Sequence, residues 1–96
     1  MDTSKKRIEV QARVRVIGKI KRQQLTQPEN FKTIVEIERS AIYTPAEAQL
    51  QVETATRESF AEHFRARMRT DMLTRRSVGG TRWEIDLVHI NYKDAI

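Results

Sequence analysis

Ser59 and His63 stand four residues apart, the spacing that sets a hydroxyl and an imidazole on one helical face. A hydroxyl becomes a nucleophile only when a positioned base takes its proton and a third group orients that base. The surrounding residues offer no strand-to-helix nucleophile turn, and the chain has no cysteine. His63 and His89 are the two histidines. Neither has a second histidine one turn away, so the spacing of a helical zinc site is missing, and thiolate metal sites are impossible. Glu36 with Glu38, and Glu84 with Asp86, are alternate residues that share a strand face and could do acid–base work. Electrostatic pairing accounts for them better: a hairpin centred near residue 26 brings Glu36 and Glu38 against Arg13 and Arg15. Gly79-Gly80 lacks the Lys-Ser/Thr of a phosphate loop. No enzyme, metal or cofactor is expected.

What remains is positive charge. The 96 residues carry 18 Lys and Arg against 13 Asp and Glu, a net charge of +5. It falls in blocks: +6 over residues 1–25, −3 over 26–56, +4 over 57–82 and −2 over 83–96. Twelve of the cations are Arg, whose planar fork suits phosphate or carboxylate. If Arg13 and Arg15 are neutralised within the sheet, three clusters are left. They are the tail Lys5, Lys6 and Arg7, the strand end Lys19 and Lys21, and the helical set Arg65, Arg69 and Arg76. Together they are the candidate polyanion-binding residues, able to track a phosphate backbone if the fold joins them. Exposed aromatic platforms for stacking bases are not evident, so such binding would have little sequence specificity.

The elements that position these groups follow from periodicity. Residues 1–6 read as a short polar tail of a single domain. Ile8, Val10, Ala12, Val14 and Val16 alternate with polar residues, which predicts a half-buried strand, with a bulge or bend at Gly18. Gln23 to Asn30 is a loop containing Pro28. A second strand is expected from Phe31 to Tyr43. Thr44-Pro45-Ala46-Glu47 fits a capping box, but Ala48, Leu50, Val52 and Thr54 alternate more cleanly than they fill a helical stripe. Residues 46–55 are therefore expected as a third strand, with a helix starting at Thr44 as the competing reading. A helix from Arg57 to Arg76 places Phe60, Phe64, Met68 and Met72 in one stripe and ends at Gly79-Gly80. In the last strand Trp83, Ile85 and Leu87 alternate, then the phase slips to Val88, Ile90 and Tyr92. The slip implies a bulge or a strand apolar on both faces. The order is β-β-β-α-β. The fold class is α+β, an antiparallel sheet of three to four strands with one helix on one face.

Lengths then matter. A first strand of 14 residues spans roughly 46 Å at ~3.3 Å per residue. A helix of 18 residues spans roughly 27 Å at ~1.5 Å per residue. One such helix cannot cover the sheet. The far face also carries apolar candidates: Ile17, Ile34, Ile42, Val88, Ile90 and Tyr92. These are the expected interface residues, and a homodimer or higher oligomer is the commonest way to bury them. The sequence-level expectation is thus a small basic assembly protein that self-associates and binds a protein partner. A structural, accessory or inhibitor subunit of the kind viruses and mobile elements encode would fit. The alternative is a nucleic-acid or polyanion-binding module. No aliphatic run is long enough for a membrane span or signal peptide, so no membrane partner and a cytoplasmic location are expected.

Overall fold

The computed structural model describes residues 5–38 and 44–94. Strand β1 (Lys5–Gly18) is followed by β2 (Glu29–Glu38), helix α1 (Pro45–Thr70), helix α2 (Met72–Val78) and β3 (Trp83–Asp94). The three strands form one antiparallel sheet in the order β2-β1-β3. The α+β class and antiparallel sheet agree with expectation. The third strand is replaced by helix, and there are two helices rather than one.

Period-two alternation in β1 drives Ile8, Val10, Ala12, Val14 and Val16 to one face, where all are buried. Phe31, Thr33, Val35 and Ile37 of β2 face the same way. Helix α1 lies on this face and completes a core containing Val52, Phe60 and Phe64. Phe60 meets Phe31 edge-on, with ring centroids 5.0 Å apart. Ser59 and Thr33 exchange a hydroxyl hydrogen bond of 3.1 Å across the same seam.

Residues 46–55 are helical because their N-terminus is fully capped. The Glu47 N–H donates to Thr44 Oγ1 at 3.2 Å, the Thr44 N–H donates to the Glu47 carboxylate at 3.3 Å, and Pro45 occupies the first turn. A stripe through Phe60, Phe64, Met68 and Met72, extended straight back along the helix, would turn Leu50 inward and Val52 outward, and the reverse is observed. Val52, Thr56, Phe60 and Phe64 are the buried residues of α1, while Leu50 is 61% exposed. An i, i+4 row winds about 40° per step, and ridge packing follows such rows rather than a straight line along the axis. Thr56 tolerates full burial because its hydroxyl donates to the Val52 carbonyl at 2.7 Å.

This helix removes the length mismatch. At 26 residues α1 spans roughly 39 Å at ~1.5 Å per residue, close to the long dimension of the sheet. Gly18 does not bend the strand. It ends β1, its N–H donating to the Gln23 carbonyl at 2.8 Å, and a Cβ there would sit 2.2 Å from the Gln23 side chain. The bulge lies instead in β3. Arg13 pairs with His89 and Val14 with Leu87, which leaves Val88 as the extra residue.

The core stripe has a measurable consequence. In urea unfolding, Phe60→Ala and Phe64→Ala should each cost about 3–5 kcal/mol, whereas Leu50→Ala should stay within about 0.5 kcal/mol. A large loss at Leu50 would restore the strand reading of residues 46–55.

Candidate functional site

Charge and topology combine at one end of the molecule. Helix α1 runs antiparallel to β2: Gln51 reaches Glu38 near its start, and Arg67 reaches Glu29 near its finish. The β1–β2 connection, the C-terminal turns of α1, all of α2 and the start of β3 therefore share that end. Residues 19–28 and 65–82 carry nine Lys and Arg and one acidic residue, Asp71, while the rest of the chain is net negative.

Asp71 divides the two helices. Its backbone leaves the helical region at φ −118° and ψ 109°, and its side chain accepts from the Leu73 N–H at 3.0 Å and the Thr74 hydroxyl at 2.6 Å. The Thr74 hydrogen bond holds the Asp71 carboxyl below its ordinary value. The break turns Arg75 and Arg76 onto a separate element from Arg65 and Arg69. Gly79 then ends α2 in the left-handed region at φ +56°, as expected for a C-terminal glycine.

Part of the charge is structural. Arg67 forks onto Glu29 with bonds of 2.9 and 2.6 Å, and a third N–H donates to His63 Nε2 at 3.0 Å. That fork holds the Glu29 carboxyl below its ordinary 4.5, against a smaller opposing effect of burial. Arg22 pairs with Glu84 and Arg15 with Asp86, each at 2.7 Å. Arg65 lies 5.6 Å from the centre of the Trp83 ring. By contrast Lys19, Lys21, Arg69, Arg75, Arg76 and Arg82 are exposed and have no ion pair among the described residues. The Lys19 N–H donates to the Arg82 carbonyl at 2.8 Å, which ties the hairpin loop to the start of β3.

The structure gathers five of the eight expected polyanion residues at this end: Lys19, Lys21, Arg65, Arg69 and Arg76. It separates the other three. Lys5, Lys6 and Arg7 belong to β1 rather than to a tail, and Arg7 is roughly 40 Å along the strand from Lys19 at ~3.3 Å per residue. Lys5 stands opposite Glu38 and Arg7 opposite Glu36, while Lys6 pairs with Asp94 at 2.9 Å. Arg75 and Arg82 join these cations, although the charge clusters of the sequence do not single them out. The Arg75-Arg76 doublet and the short step from Gly80 into β3 were the available signals.

The hairpin register also differs. Glu36 and Glu38 stand opposite Arg7 and Lys5, not Arg13 and Arg15, because the connection consumes Lys19 to Pro28 and the ladder is centred nearer residue 21. Arg13 faces Asn30 and His89. Ser59 and His63 bond to Thr33 and Arg67 rather than to each other. Among the described residues there is no group of three or more potential metal ligands, and no helix is long and apolar enough to cross a membrane.

The six expected interface residues scatter. Ile17 is 2% exposed. Ile90 and Tyr92 lie opposite Ala12 and Val10 on the helix side, because the bulge at Val88 reverses the phase of β3. Val88 and Ile34 are exposed. Ile42 lies outside the described residues. The outer face is otherwise polar, with Arg7, Glu9, Gln11, Arg13 and Arg15 along its centre. No protein-family model, curated protein or solved structure matches the chain.

The Glu29–Arg67 fork sets a pH dependence. A carboxyl whose folded pKa is lowered contributes stability above its unfolded value and loses it as pH falls through the folded one. Glu29→Gln should therefore cost on the order of 1 kcal/mol at pH 7, after allowing for the solvent that reaches both groups. The difference from the parent protein should shrink below about pH 4.5, the ordinary value for this group. Denaturant midpoints measured from pH 7 to pH 3 check this. A constant difference would show that Arg67 does not hold Glu29.

Proposed function

We propose that this protein is a non-catalytic binding module that grips nucleic-acid backbone through its basic end. The observation that carries the reading is the convergence on one end of the fold of residues 19–28 and 65–82, which hold nine cations and one acid, with the neighbouring Glu29 and Glu84 occupying Arg67 and Arg22. Six of those cations have no internal partner among the described residues. A net negative remainder orients the molecule in the field of a polyanion, so the same end leads on encounter.

The chemistry is phosphate contact. Arg69, Arg75, Arg76 and Arg82 offer forked donors, and Lys19 and Lys21 offer point charges on flexible stems. Arg22 and Arg67 are held by carboxylates and act as scaffolding for their neighbours. Trp83, the aromatic at this end that is not fully buried among the described residues, is half-buried between Phe64 and Arg65. This favours contact with sugar and phosphate over reading of bases, and hence little sequence preference. Ile20 and Leu73, exposed among the cations at 78% and 73%, can lie against sugar edges without demanding a sequence.

The decisive test is retention of duplex DNA or RNA at low salt, with affinity followed as salt rises. The log–log slope should be shallower by about 0.9 for each phosphate contact removed in Lys19→Ala, Arg69→Ala and Arg76→Ala on duplex DNA. Lys5→Ala and Arg7→Ala, at the opposite end, should change it little. Absence of binding at low salt, or equal losses at both ends, would refute the proposal.

A further inference from the structure

Among the described residues, the sheet order leaves β2 bonded on one side only. Successive residues of a strand point their backbone groups to opposite edges. Glu38 identifies which residues face out, because its N–H donates away from β1 to Gln51 Oε1 at 3.3 Å. By the same parity Lys32, Ile34 and Glu36 present N–H and carbonyl groups to the open edge. Such an edge is a template for another strand.

A groove runs between this edge and α1. Two adjoining hollows of about 450 and 420 Å³ share Glu36, Ala55 and Glu58 in their walls. Val35, Ala55 and the exposed Leu50 give it apolar surface, while Glu36, Glu58 and Glu62 give it charge. None of these three carboxylates has an ion pair among the described residues. Lys5 and Arg65 stand at its two limits.

Charge also decides the occupant. Among the described residues the open sheet edges are β2 and β3, and each strand is net negative by two charges. A second copy adding either edge would set carboxylates against carboxylates, which is unfavourable across strands. We propose that the β2 edge binds an extended basic segment of a different protein as a fourth strand. Main-chain hydrogen bonds to Ile34 and Glu36 supply affinity, and the carboxylates of the groove select Lys or Arg on alternate positions. This surface meets the basic end only at Arg65, so one partner of each sign can be held at once.

Fluorescence anisotropy of the full chain with a labelled short peptide alternating Lys and Val tests the inference, with a Glu–Val peptide as comparison. The Lys–Val peptide should bind and the Glu–Val peptide should not. Glu58→Lys with Glu62→Lys, both on exposed helical positions, should weaken binding about tenfold. Ile34→Pro removes an outward N–H that the β1–β2 ladder does not use, and should abolish binding. Circular dichroism checks both variants, and if Ile34→Pro does not fold the charge variant decides alone. Unchanged Lys–Val binding in the folded variants, or equal binding of the Glu–Val peptide, would overturn the proposal. A dimer in light scattering that Ile34→Pro dissociates would also overturn it, by giving the edge to a second copy. Nucleic-acid affinity should be unchanged in folded Ile34→Pro and should not fall in the charge variant, whose added lysines strengthen phosphate attraction, so the two readings fail independently.

Discussion

The structure depends on one matching of lengths: a 26-residue helix laid antiparallel to β2 across a sheet centred on a 14-residue strand. Every fully buried large side chain lies along that seam. Val10, Val14 and Val16 come from the central strand, and Val52, Thr56, Phe60 and Phe64 from one winding row of α1. A shorter helix would leave half of the inner face wet. Burial of so much apolar surface outweighs the modest helix propensity of Val52, Thr54 and Thr56.

The same constraint sorts the charge. Because α1 must run back along β2, its arginine-rich C-terminal turns arrive beside the β1–β2 loop and the start of β3. Glu58 and Glu62, near its middle, are left beside the acidic edge of β2. A chain whose charges form four alternating blocks in sequence thus becomes a body with a basic end and an acidic flank. Glu29, Glu84 and Asp86 keep the basic end cohesive by clamping Arg67, Arg22 and Arg15. The cations left over are therefore presented on a stiff frame rather than on a tail.

Much of this was legible in the residues. The alternation of β1 declared its buried face correctly, residue by residue. Gly79 announced the end of the helical region, and the phase slip at Val88 announced an irregularity. The Thr44–Glu47 box was visible too, but short-range alternation over Ala48 to Thr54 outweighed it. Period-two and i, i+4 patterns share positions over so few residues, and only the sheet it had to cover tells them apart. The hairpin pairing is displaced by about eight residues, from Arg15 to Arg7 opposite Glu36, because loop length, not strand pattern, sets it. Whether Lys5, Lys6 and Arg7 would join the other cations was not legible, because local charge carries no information about which end of the fold it occupies.

By itself the sequence determined the α+β class, the inner face of the central strand, the absence of cysteine chemistry and an excess of arginine. Each of these is a property of composition or of neighbours a few residues apart. Tertiary structure alone decided that residues 45–56 are helical, that the length mismatch vanishes, and which cations converge. Those outcomes turn on contacts between segments some forty or more residues apart, such as Arg22 with Glu84 and Lys19 with Arg82. Their geometry exists only once the helix has folded back over the sheet.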